Sequence, residues 1–257
     1  MTPISSAANP RYRRWLRLAT QPRAVREEGC TLAEGEHLAE AVAAAEVGVR
    51  ALLLRDGVPV PRWQARWPRA PVFGLAASLY DALALVEHGA GFALEVEVPA
   101  PKAAAATGDL LYLDGVQEPG NVGALLRVAA AAGVPAVWAA PGTAALWSPK
   151  ALRGAQGAHF ALALREGVDA AALRAAFAGT LIAATADDAE PLWQSALPAG
   201  AVGWVFGSEG QGVSTAALRL CDGRVTIPLA AAVDSLNVAS AAAVCLFERR
   251  RRLVRSA

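Results

Sequence analysis

The sequence predicts an α/β protein with a mostly parallel sheet in its C-terminal part and a smaller α/β domain ahead of it. After residue 108, apolar segments alternate with helix-like stretches, a pattern typical of parallel strands covered on both faces. Residues 99–108 are rich in Pro, Ala and Gly and have no hydrophobic period, so they predict a linker. We therefore expect domains at 1–98 and 109–257.

The N-terminal part contains the elements of one compact α/β unit. The pattern at 36–46 predicts an amphipathic helix, and residues 51–54 predict a buried strand that ends at Asp56 and Gly57. Further along the chain, three segments predict a buried strand, a helix and an alternating strand: APVFGLA, SLYDALALVEHGA and GFALEVEVP.

The charged residues nearly balance, with 24 Lys and Arg against 23 Asp and Glu, so no global field favours a polyanionic partner. Two local runs are basic. Either run could contact phosphates or could be a solvated helix face, and the sequence leaves both open. The first run is Arg11, Arg13, Arg14, Arg17, Arg23 and Arg26, and the second is Arg249, Arg250, Arg251, Arg252 and Arg255.

The composition excludes several classes of protein. Cys30, Cys221 and Cys245 are few, widely spaced and odd in number, which favours a reducing compartment and gives no metal-ligand spacing. The uncharged stretch between Arg127 and Lys150 is interrupted by Gly and Pro, so we expect no membrane span. The N-terminus lacks the apolar core of a signal peptide. These features predict a cytoplasmic protein without a metal site.

The predicted strands of the C-terminal part show where to search for chemistry. They are DLLYLDG, PAVWAA, TLIAAT, AVGWVFG and RVTIPL. In a parallel sheet, ligands bind in the crevice outside the carboxyl ends of the strands. The loops that follow three of these strands carry polar residues or glycines.

The first loop lies in LDGVQEPGNVGALLRVAAAAGV, residues 113–134. Asn121 stands where a helix N-cap is expected, and the alanine-rich helix after it carries one arginine, Arg127, whose surroundings suggest burial. The long Arg127 side chain can reach back towards Asn121. An ordinary capped helix is the alternative.

The second loop, VFGSEGQGVS at 205–214, places three glycines around Glu209. Gly207, Gly210 and Gly212 allow positive φ angles and close approach of the backbone to a ligand. The loop lacks both the P-loop pattern and the dinucleotide fingerprint GxGxxG, so a nucleotide- or NAD-binding enzyme is disfavoured. The alternative is a plain glycine turn with a solvated carboxylate.

The third loop lies in IPLAAAVDSLNVASAAAVCLFERR, residues 227–250. A strand ends at Pro228, and Asp234, Ser235 and Asn237 precede an alanine-rich helix. Helix capping alone would explain Ser235, whereas Asn237 would lie inside the first turn and is not explained by capping.

Together the three loops resemble, in the same order, the three signature motifs of the SpoU (TrmH-like) branch of the SPOUT RNA methyltransferases. SPKALRGAQGAHF at 148–160 is similar to the family's connecting segment, and the resemblance covers about 109–248. The first hundred residues resemble more weakly the small substrate-binding domain of many members, chiefly through AEGEHLAEAV at 33–42.

The resemblance implies a deep trefoil knot in the C-terminal domain, an exception to the rule that connections do not thread loops. It also implies bound S-adenosylmethionine without a metal, a homodimer with active sites at the subunit interface, and methylation of a ribose 2′-OH in structured RNA. By analogy, ribosomal RNA is favoured over transfer RNA. Three positions depart from the family's usual residues: Ser208, Leu229 and Ala239.

The resemblance also implies residue roles. Arg127 would position the 2′-hydroxyl or a phosphate, since a guanidinium is too basic to be a plausible general base, and a phosphate or water would accept the proton. The implied catalytic residues are Asn121, Arg127, Glu209, Ser235 and Asn237. The implied cofactor-binding residues are Phe206, Gly207, Glu209, Gly212, Ile227, Pro228, Leu229, Ser235, Leu236 and Asn237. The expected RNA-binding residues are Arg11, Arg13, Arg14, Arg17 and Arg127.

Two alternatives remain within this fold. One is a catalytically silent RNA-binding protein, which the presence of all five polar residues disfavours. The other is methyl transfer to a base, which the pattern SLNVASAAA at 235–243 disfavours.

Overall fold

A computed structural model describes residues 1–83, 89–100, 108–186 and 188–256. The chain divides into two compact units, the first comprising Met1–Ala100 and Trp147–Phe160 and the second Pro101–Leu146 and Ala161–Ala257. Most of the predicted linker, 101–107, lies outside the described residues. The segment Trp147–Phe160, which we expected in the C-terminal domain, belongs to the first unit.

Strands and helices follow one another along most of the described chain. The strands are β1 (Thr2–Ile4), β2 (Cys30–Glu34), β3 (Val49–Arg55), β4 (Val72–Leu75), β5 (Phe92–Glu97), β6 (Leu110–Asp114), β7 (Ala136–Ala139), β8 (Ala163–Glu166), β9 (Thr180–Ala184), β10 (Glu190–Pro191), β11 (Val202–Gly207) and β12 (Gly223–Thr226). The α-helices are α1 (Pro10–Thr20), α2 (Pro22–Glu28), α3 (Glu36–Ala44), α4 (Ala77–Asp81), α5 (Pro119–Ala132), α6 (Pro149–Ala155), α7 (Ala170–Ala176), α8 (Thr215–Leu218) and α9 (Val238–Ser256). Short 3-10 helices span Arg62–Ala65 and Ala158–Ala161.

The first unit contains a mixed sheet in the order β1-β4-β3-β5-β2. Strands β1, β4 and β3 run parallel, and β5 pairs antiparallel with both β3 and β2. The predicted helix at 36–46 and the three predicted strands correspond to α3, β3, β4 and β5. The helix predicted in SLYDALALVEHGA is observed only as α4, and residues 84–88 of that stretch lie outside the described residues.

The alternating burial predicted for β5 is wrong, because Glu95 is buried at 3% exposure among apolar neighbours on its strand. Its carboxylate accepts hydrogen bonds from Arg14 Nη2 at 2.7 Å and from Trp15 Nε1 at 2.7 Å. Burial opposes ionisation of Glu95, but these two donors outweigh it and lower the pKa of the carboxyl below its usual value. An ion pair between distant segments therefore overrides the local pattern.

The second unit contains a seven-stranded sheet in the order β10-β12-β9-β11-β6-β7-β8, and all described pairs are parallel. This agrees with the mostly parallel sheet that the sequence predicts. Its core contains large side chains from three central strands and α7, including Tyr112, Trp138, Val205 and Leu173. Because the sheet is parallel, the loops after β6, β9, β11 and β12 all lie at its carboxyl edge.

One arginine of the C-terminal basic run, Arg249, is only 4% exposed. At this position the run is neither a phosphate-binding surface nor a solvated helix face. Arg249 bonds both carboxylate oxygens of Asp109, at 3.0 and 3.2 Å, and also the carbonyls of Pro198 and Gly200. Arg252 donates to the carbonyls of Ser195 and Leu192 at 2.6 and 2.8 Å. These arginines anchor the end of α9 to the rest of its unit.

None of the helices in the described ranges is long and apolar enough to cross a membrane.

Candidate functional site

A cavity of about 720 Å³ lies at the carboxyl ends of β9, β11 and β12 in the second unit. Its volume falls in the range usual for small-molecule sites. Residues from the second and third loops form most of its wall. All ten residues that we expected to bind a cofactor line it: Phe206, Gly207, Glu209, Gly212, Ile227, Pro228, Leu229, Ser235, Leu236 and Asn237.

The second loop folds back on the end of β11 as a tight turn. Ser208 and Gly212 exchange backbone hydrogen bonds of 3.1 and 2.9 Å. Gly212 has a φ of +67°, and a Cβ on Gly207 would lie 1.9 Å from the Gly212 carbonyl carbon. The turn therefore requires glycine at these two positions. The sequence-based account is wrong for Gly210, where φ is not positive and a Cβ would meet no atom within 4 Å.

The backbone of the third loop has N–H and C=O groups beside the cavity that are not used in secondary structure. Between Ile227 and Leu236 the only backbone hydrogen bond among the described residues joins Val233 N to Ala230 O, at 3.3 Å. The loop also exposes apolar side chains, since Leu229 and Leu236 are 38% and 39% exposed. Free N–H and C=O groups beside apolar surface suit a ligand that has both a polar edge and an apolar face.

Helix α9 begins with Asn237 as its N-cap. The Asn237 Oδ1 atom accepts hydrogen bonds from Ala239 N at 2.9 Å and Ser240 N at 3.4 Å. This reverses our expectation that Ser235 would cap the helix and that Asn237 would lie inside the first turn. Ser235 instead lines the cavity.

Helix α5 begins three residues earlier than predicted. Glu118, not Asn121, is the N-cap, and its Oε2 accepts from Asn121 N at 2.7 Å. Pro119 occupies the first helical position, where its missing N–H is not needed. The Asn121 side chain is therefore not used for capping.

A chain of side-chain hydrogen bonds connects the three loops. Asn237 Nδ2 donates to Asn121 Oδ1 at 2.9 Å, and Asn121 Nδ2 donates to Glu209 Oε1 at 2.7 Å. The first and second loops are also joined by Ser214 N, which donates to Asp114 Oδ2 at 2.6 Å. Glu209 lies 88 residues after Asn121 in the sequence, and Asn237 lies 116 residues after it. These hydrogen bonds therefore form only in the folded unit. We call these three residues the amide–carboxylate chain.

Arg127 is exposed, which contradicts the burial that its sequence surroundings suggested. It does not line the cavity, and it makes no hydrogen bond or ion pair with any residue the structure describes. Its guanidinium is therefore available to a group outside this chain.

The N-terminal arginines expected to bind RNA fall into two classes. Arg14 bonds Glu28 and the buried Glu95, and Arg17 donates to Glu28 at 2.8 Å, so both are held by carboxylates. Arg11 and Arg13 are exposed. The Arg11 guanidinium lies 5.2 Å from the centre of the Phe73 ring.

Sequence reasoning missed the part of the cavity wall formed by Ala184, which ends β9, and by Thr185 and Ala186, which follow it. The strand itself was predicted, and its carboxyl end obeys the same rule that located the other loops. The sequence analysis did not single out the loop after β9, because this loop has neither the glycines nor the motif residues that marked the other three loops. Val233 and Asp234 of the third loop also line the cavity.

The described residues contain no group of three His, Cys, Asp or Glu side chains that could hold a metal ion. The cavity combines an apolar surface, backbone groups without a hydrogen-bond partner among the described residues, and two carboxylates, those of Glu209 and Asp234. These features fit the adenosine, methionine and cationic sulfonium parts of S-adenosylmethionine.

Comparison with known proteins gives consistent similarities. A model of the SpoU rRNA Methylase family matches residues 109–247, which include all three loops. Over 251 residues the chain is 31% identical to the 23S rRNA (guanosine(2553)-2'-O)-methyltransferase RlmP of Bacillus subtilis (strain 168), a match that covers 97% of this chain and 100% of that protein.

Two solved structures are similar over nearly the whole chain. One is an RNA 2'-O ribose methyltransferase, with a TM-score of 0.80, 27% identity and coverage of 99% of this chain and 100% of that one. The other is the SpoU methyltransferase AviRb from Streptomyces viridochromogenes in complex with the cofactor AdoMet, with a TM-score of 0.84, 25% identity and coverage of 96% and 98%.

Proposed function

Because the chain belongs to the SpoU rRNA Methylase family, we propose that it transfers a methyl group from S-adenosylmethionine to a ribose 2′-hydroxyl of ribosomal RNA. The observation that carries the proposal is the meeting of three loops from distant parts of the sequence. The second and third loops place ten expected residues around one cavity, and the first loop is joined to both through the amide–carboxylate chain.

The cavity would hold the cofactor through backbone groups and apolar contacts. Ile227 to Leu236 provide unpaired N–H and C=O groups for the adenine edge and the methionine end, while Phe206, Leu229 and Leu236 provide apolar surface. When bound, S-adenosylmethionine supplies an electrophilic methyl group on a positively charged sulfur. The closed turn at Gly207 and Gly212 would fix this wall before the cofactor binds. Less conformational entropy of the loop is then lost on binding.

The amide–carboxylate chain would act on the substrate side. Asn121 holds Glu209 at the cavity wall, so the carboxylate keeps one orientation while its other oxygen remains available. Methyl transfer is an in-line displacement, and holding the 2′-oxygen in line with the methyl group is the main contribution such a site makes. Ser235 lines the same cavity and would contact either the cofactor or the ribose.

Arg127 would position the 2′-hydroxyl or a neighbouring phosphate from outside the cavity wall. It is exposed and unpaired among the described residues, so contact with RNA would replace water rather than an internal partner. A guanidinium stabilises developing negative charge on the oxygen but does not accept its proton. A phosphate or water would take that proton.

The assembly that we propose is a cytoplasmic homodimer whose C-terminal domain is knotted and whose active sites lie at the subunit interface. Residues 1–98 would bind the RNA substrate, with Arg11 and Arg13 as contacts. Arg14 we assign to the fold, because its guanidinium holds the buried Glu95. RlmP of Bacillus subtilis is named as a 2′-O-methyltransferase of 23S rRNA, which supports ribosomal RNA over transfer RNA.

The experiment is a calorimetric titration of S-adenosylmethionine into the full chain, followed by tritiated methyl transfer onto total RNA and mapping of the modified ribose. We expect cofactor binding and a 2′-O-methylated product. Arg127→Ala should retain cofactor binding and lose transfer, because Arg127 lies outside the cavity. Arg127→Lys at wild-type turnover would show that guanidinium geometry is not needed.

The alternative, a silent RNA-binding protein, predicts that the folded chain binds RNA without binding the cofactor. The amide–carboxylate chain disfavours it, since RNA binding alone does not require three loops to be joined at a cavity.

A further inference from the structure

A second surface of the first unit has the composition of a nucleic-acid contact. Residues 61–71 read PRWQARWPRAP, with three arginines, two tryptophans and no acidic residue. We call Arg62, Trp63, Arg66, Trp67 and Arg69 the arginine–tryptophan surface. None of them belongs to the cavity or to the basic run at 11–26.

The two tryptophans form a paired aromatic platform. A 3-10 helix at Arg62–Ala65 brings Trp63 and Trp67 together, with ring centroids 6.0 Å apart and planes inclined by 31°. The Arg62 guanidinium carbon lies 4.9 Å from the centre of the Trp63 ring. The surface therefore brings together two partly exposed tryptophan rings and one guanidinium plane, which lies over the Trp63 ring. Unpaired bases stack on planes of both kinds.

The platform is held in place before any ligand binds. Glu36 Oε2, at the start of α3, accepts hydrogen bonds from Trp63 Nε1 at 2.6 Å and from Arg62 Nη2 at 3.2 Å. These bonds fix the Trp63 ring and orient Arg62, so less rotamer entropy is lost on binding. Glu36 neutralises one positive charge of the surface.

The remaining arginines are not used by the fold in the same way. Arg66 makes one long hydrogen bond, 3.5 Å, to the Ala43 carbonyl. Arg69 is exposed and has no partner among the residues that the structure describes. Clamping the segment onto α3 explains Glu36, Arg62 and Trp63 and gives Arg66 one long bond to that helix, but it does not explain Arg69. Exposed guanidinium groups beside aromatic planes complement a strand of phosphates and bases.

We infer that the arginine–tryptophan surface binds unpaired nucleotides of the substrate RNA, an inference that rests on the proposed function for the identity of that RNA. Bases stack on the outer faces of the platform and phosphates contact Arg66 and Arg69. The two rings are closer than the ~6.8 Å that a base inserted between them needs, taking ~3.4 Å per stacked layer. Bases in a duplex are already stacked on their neighbours, so the site selects single strands, loops or bulges over duplex RNA.

The test measures fluorescence anisotropy of a labelled 12-nucleotide single-stranded RNA and of a labelled RNA hairpin with a fully paired stem, each titrated with the full chain. We expect tighter binding of the single strand. Trp67→Ala should weaken it by roughly 5- to 150-fold, the equivalent of ~1–3 kcal/mol per stacked base, whereas Trp67→Phe should keep most of the affinity. Arg66→Gln and Arg69→Gln should each make the negative slope of log affinity against log salt shallower by about 0.7.

Matched controls separate this inference from the proposed function. Arg50→Gln, which changes an exposed arginine that pairs with Glu97 and belongs to neither basic run, should leave affinity and salt slope unchanged. Every variant is also titrated with S-adenosylmethionine, which should bind as in the wild type and so show an intact fold. If the wild type methylates RNA but Trp67→Ala binds the single strand unchanged, the inference is overturned and the function stands. If no RNA is methylated yet binding depends on Trp67 and Arg69, the RNA surface stands and the function fails.

Discussion

Asn121 is the residue on which the amide–carboxylate chain depends, since it accepts from Asn237 and donates to Glu209. Asn121→Asp keeps the shape of the side chain but places a carboxylate against that of Glu209, where the native bond is 2.7 Å. A lost hydrogen bond to a charged group costs ~1.5–3 kcal/mol, so we expect methyl transfer to fall by roughly 10- to 150-fold. Initial rates with saturating cofactor measure the effect.

Gln211→Glu provides the charge-matched control. Gln211 is exposed in the turn that carries Glu209, and it is not a member of the amide–carboxylate chain. Its rate should stay within about twofold of the wild type. Equal losses in both variants would mean that added negative charge, and not the broken hydrogen bond, slows transfer.

The sequence predicted ten of the residues that line the cavity, but two capping roles were assigned to the wrong residues. Glu118 caps α5 where Asn121 was expected, and Asn237 caps α9 where Ser235 was expected. Several side chains in each loop can cap, and the backbone decides which one does. For α5 a local signal existed, since Pro119 favours the first helical position and so marks Glu118 as the cap.

At the scale of elements, the turn after β11 tests whether its shape is required for cofactor binding. A Cβ on Gly207 would lie 1.9 Å from the Gly212 carbonyl carbon, so Gly207→Ala must open the turn. Overpacking of this kind typically costs ~1–3 kcal/mol. We expect a lower melting temperature and at least a tenfold loss of S-adenosylmethionine affinity, measured by calorimetry.

Gly210→Ala is the matched control in the same turn. The added methyl group meets no atom within 4 Å, and the residue does not need a positive φ. Cofactor affinity and stability should remain those of the wild type. Normal cofactor binding by Gly207→Ala would show that the cavity tolerates an open turn.

The end of α9 gives a second prediction at this scale. Arg249 and Asp109 have side chains only 5% and 14% exposed, and they join segments 140 residues apart. Removing one partner of a buried ion pair costs ~3–5 kcal/mol, because the other charge stays buried. Arg249→Ala should therefore lower the denaturant midpoint strongly. Arg251→Ala, which removes an exposed partner of Glu248, should change it little; similar shifts in the two variants would contradict the anchoring role.

At the scale of the whole molecule, the sequence predicted the second unit better than the first. Each strand of a parallel sheet is a continuous apolar run, and its ligands lie at one edge, so DLLYLDG, AVGWVFG and RVTIPL located both the sheet and the site. This rule places the three loops at one edge, but it does not predict the hydrogen bonds of the amide–carboxylate chain, which join residues 88 and 116 positions apart. The assignment of 147–160 to the first unit was not predictable, because it depends on contacts between distant segments that leave no local pattern.

The first unit also contains a half-buried acid whose titration couples to folding. Glu34 ends β2, and burial raises the pKa of its carboxyl to about 6, although Tyr80 donates to Oε1 at 3.2 Å. Its Oε2 atom is buried and has no hydrogen-bond partner among the described residues. The folded chain therefore holds this proton at pH values where the unfolded chain, with a carboxyl pKa near 4.5, has lost it.

Linkage then fixes the sign of the pH dependence. Between pH 4.5 and about 6 the folded state binds more protons at Glu34 than the unfolded state, so stability should fall as pH rises through this window.

Glu34→Gln cannot ionise and still accepts a hydrogen bond from Tyr80, so its melting temperature should vary less with pH in this window. Glu40→Gln, on the exposed face of α3, should retain the wild-type slope. Glu95 and Glu248 do not confuse the result, because their pKa values are lowered and their loss of stability comes only as pH falls below the window. Melting curves at several pH values test this, and a Glu34→Gln slope equal to that of the wild type would place the titrating group elsewhere.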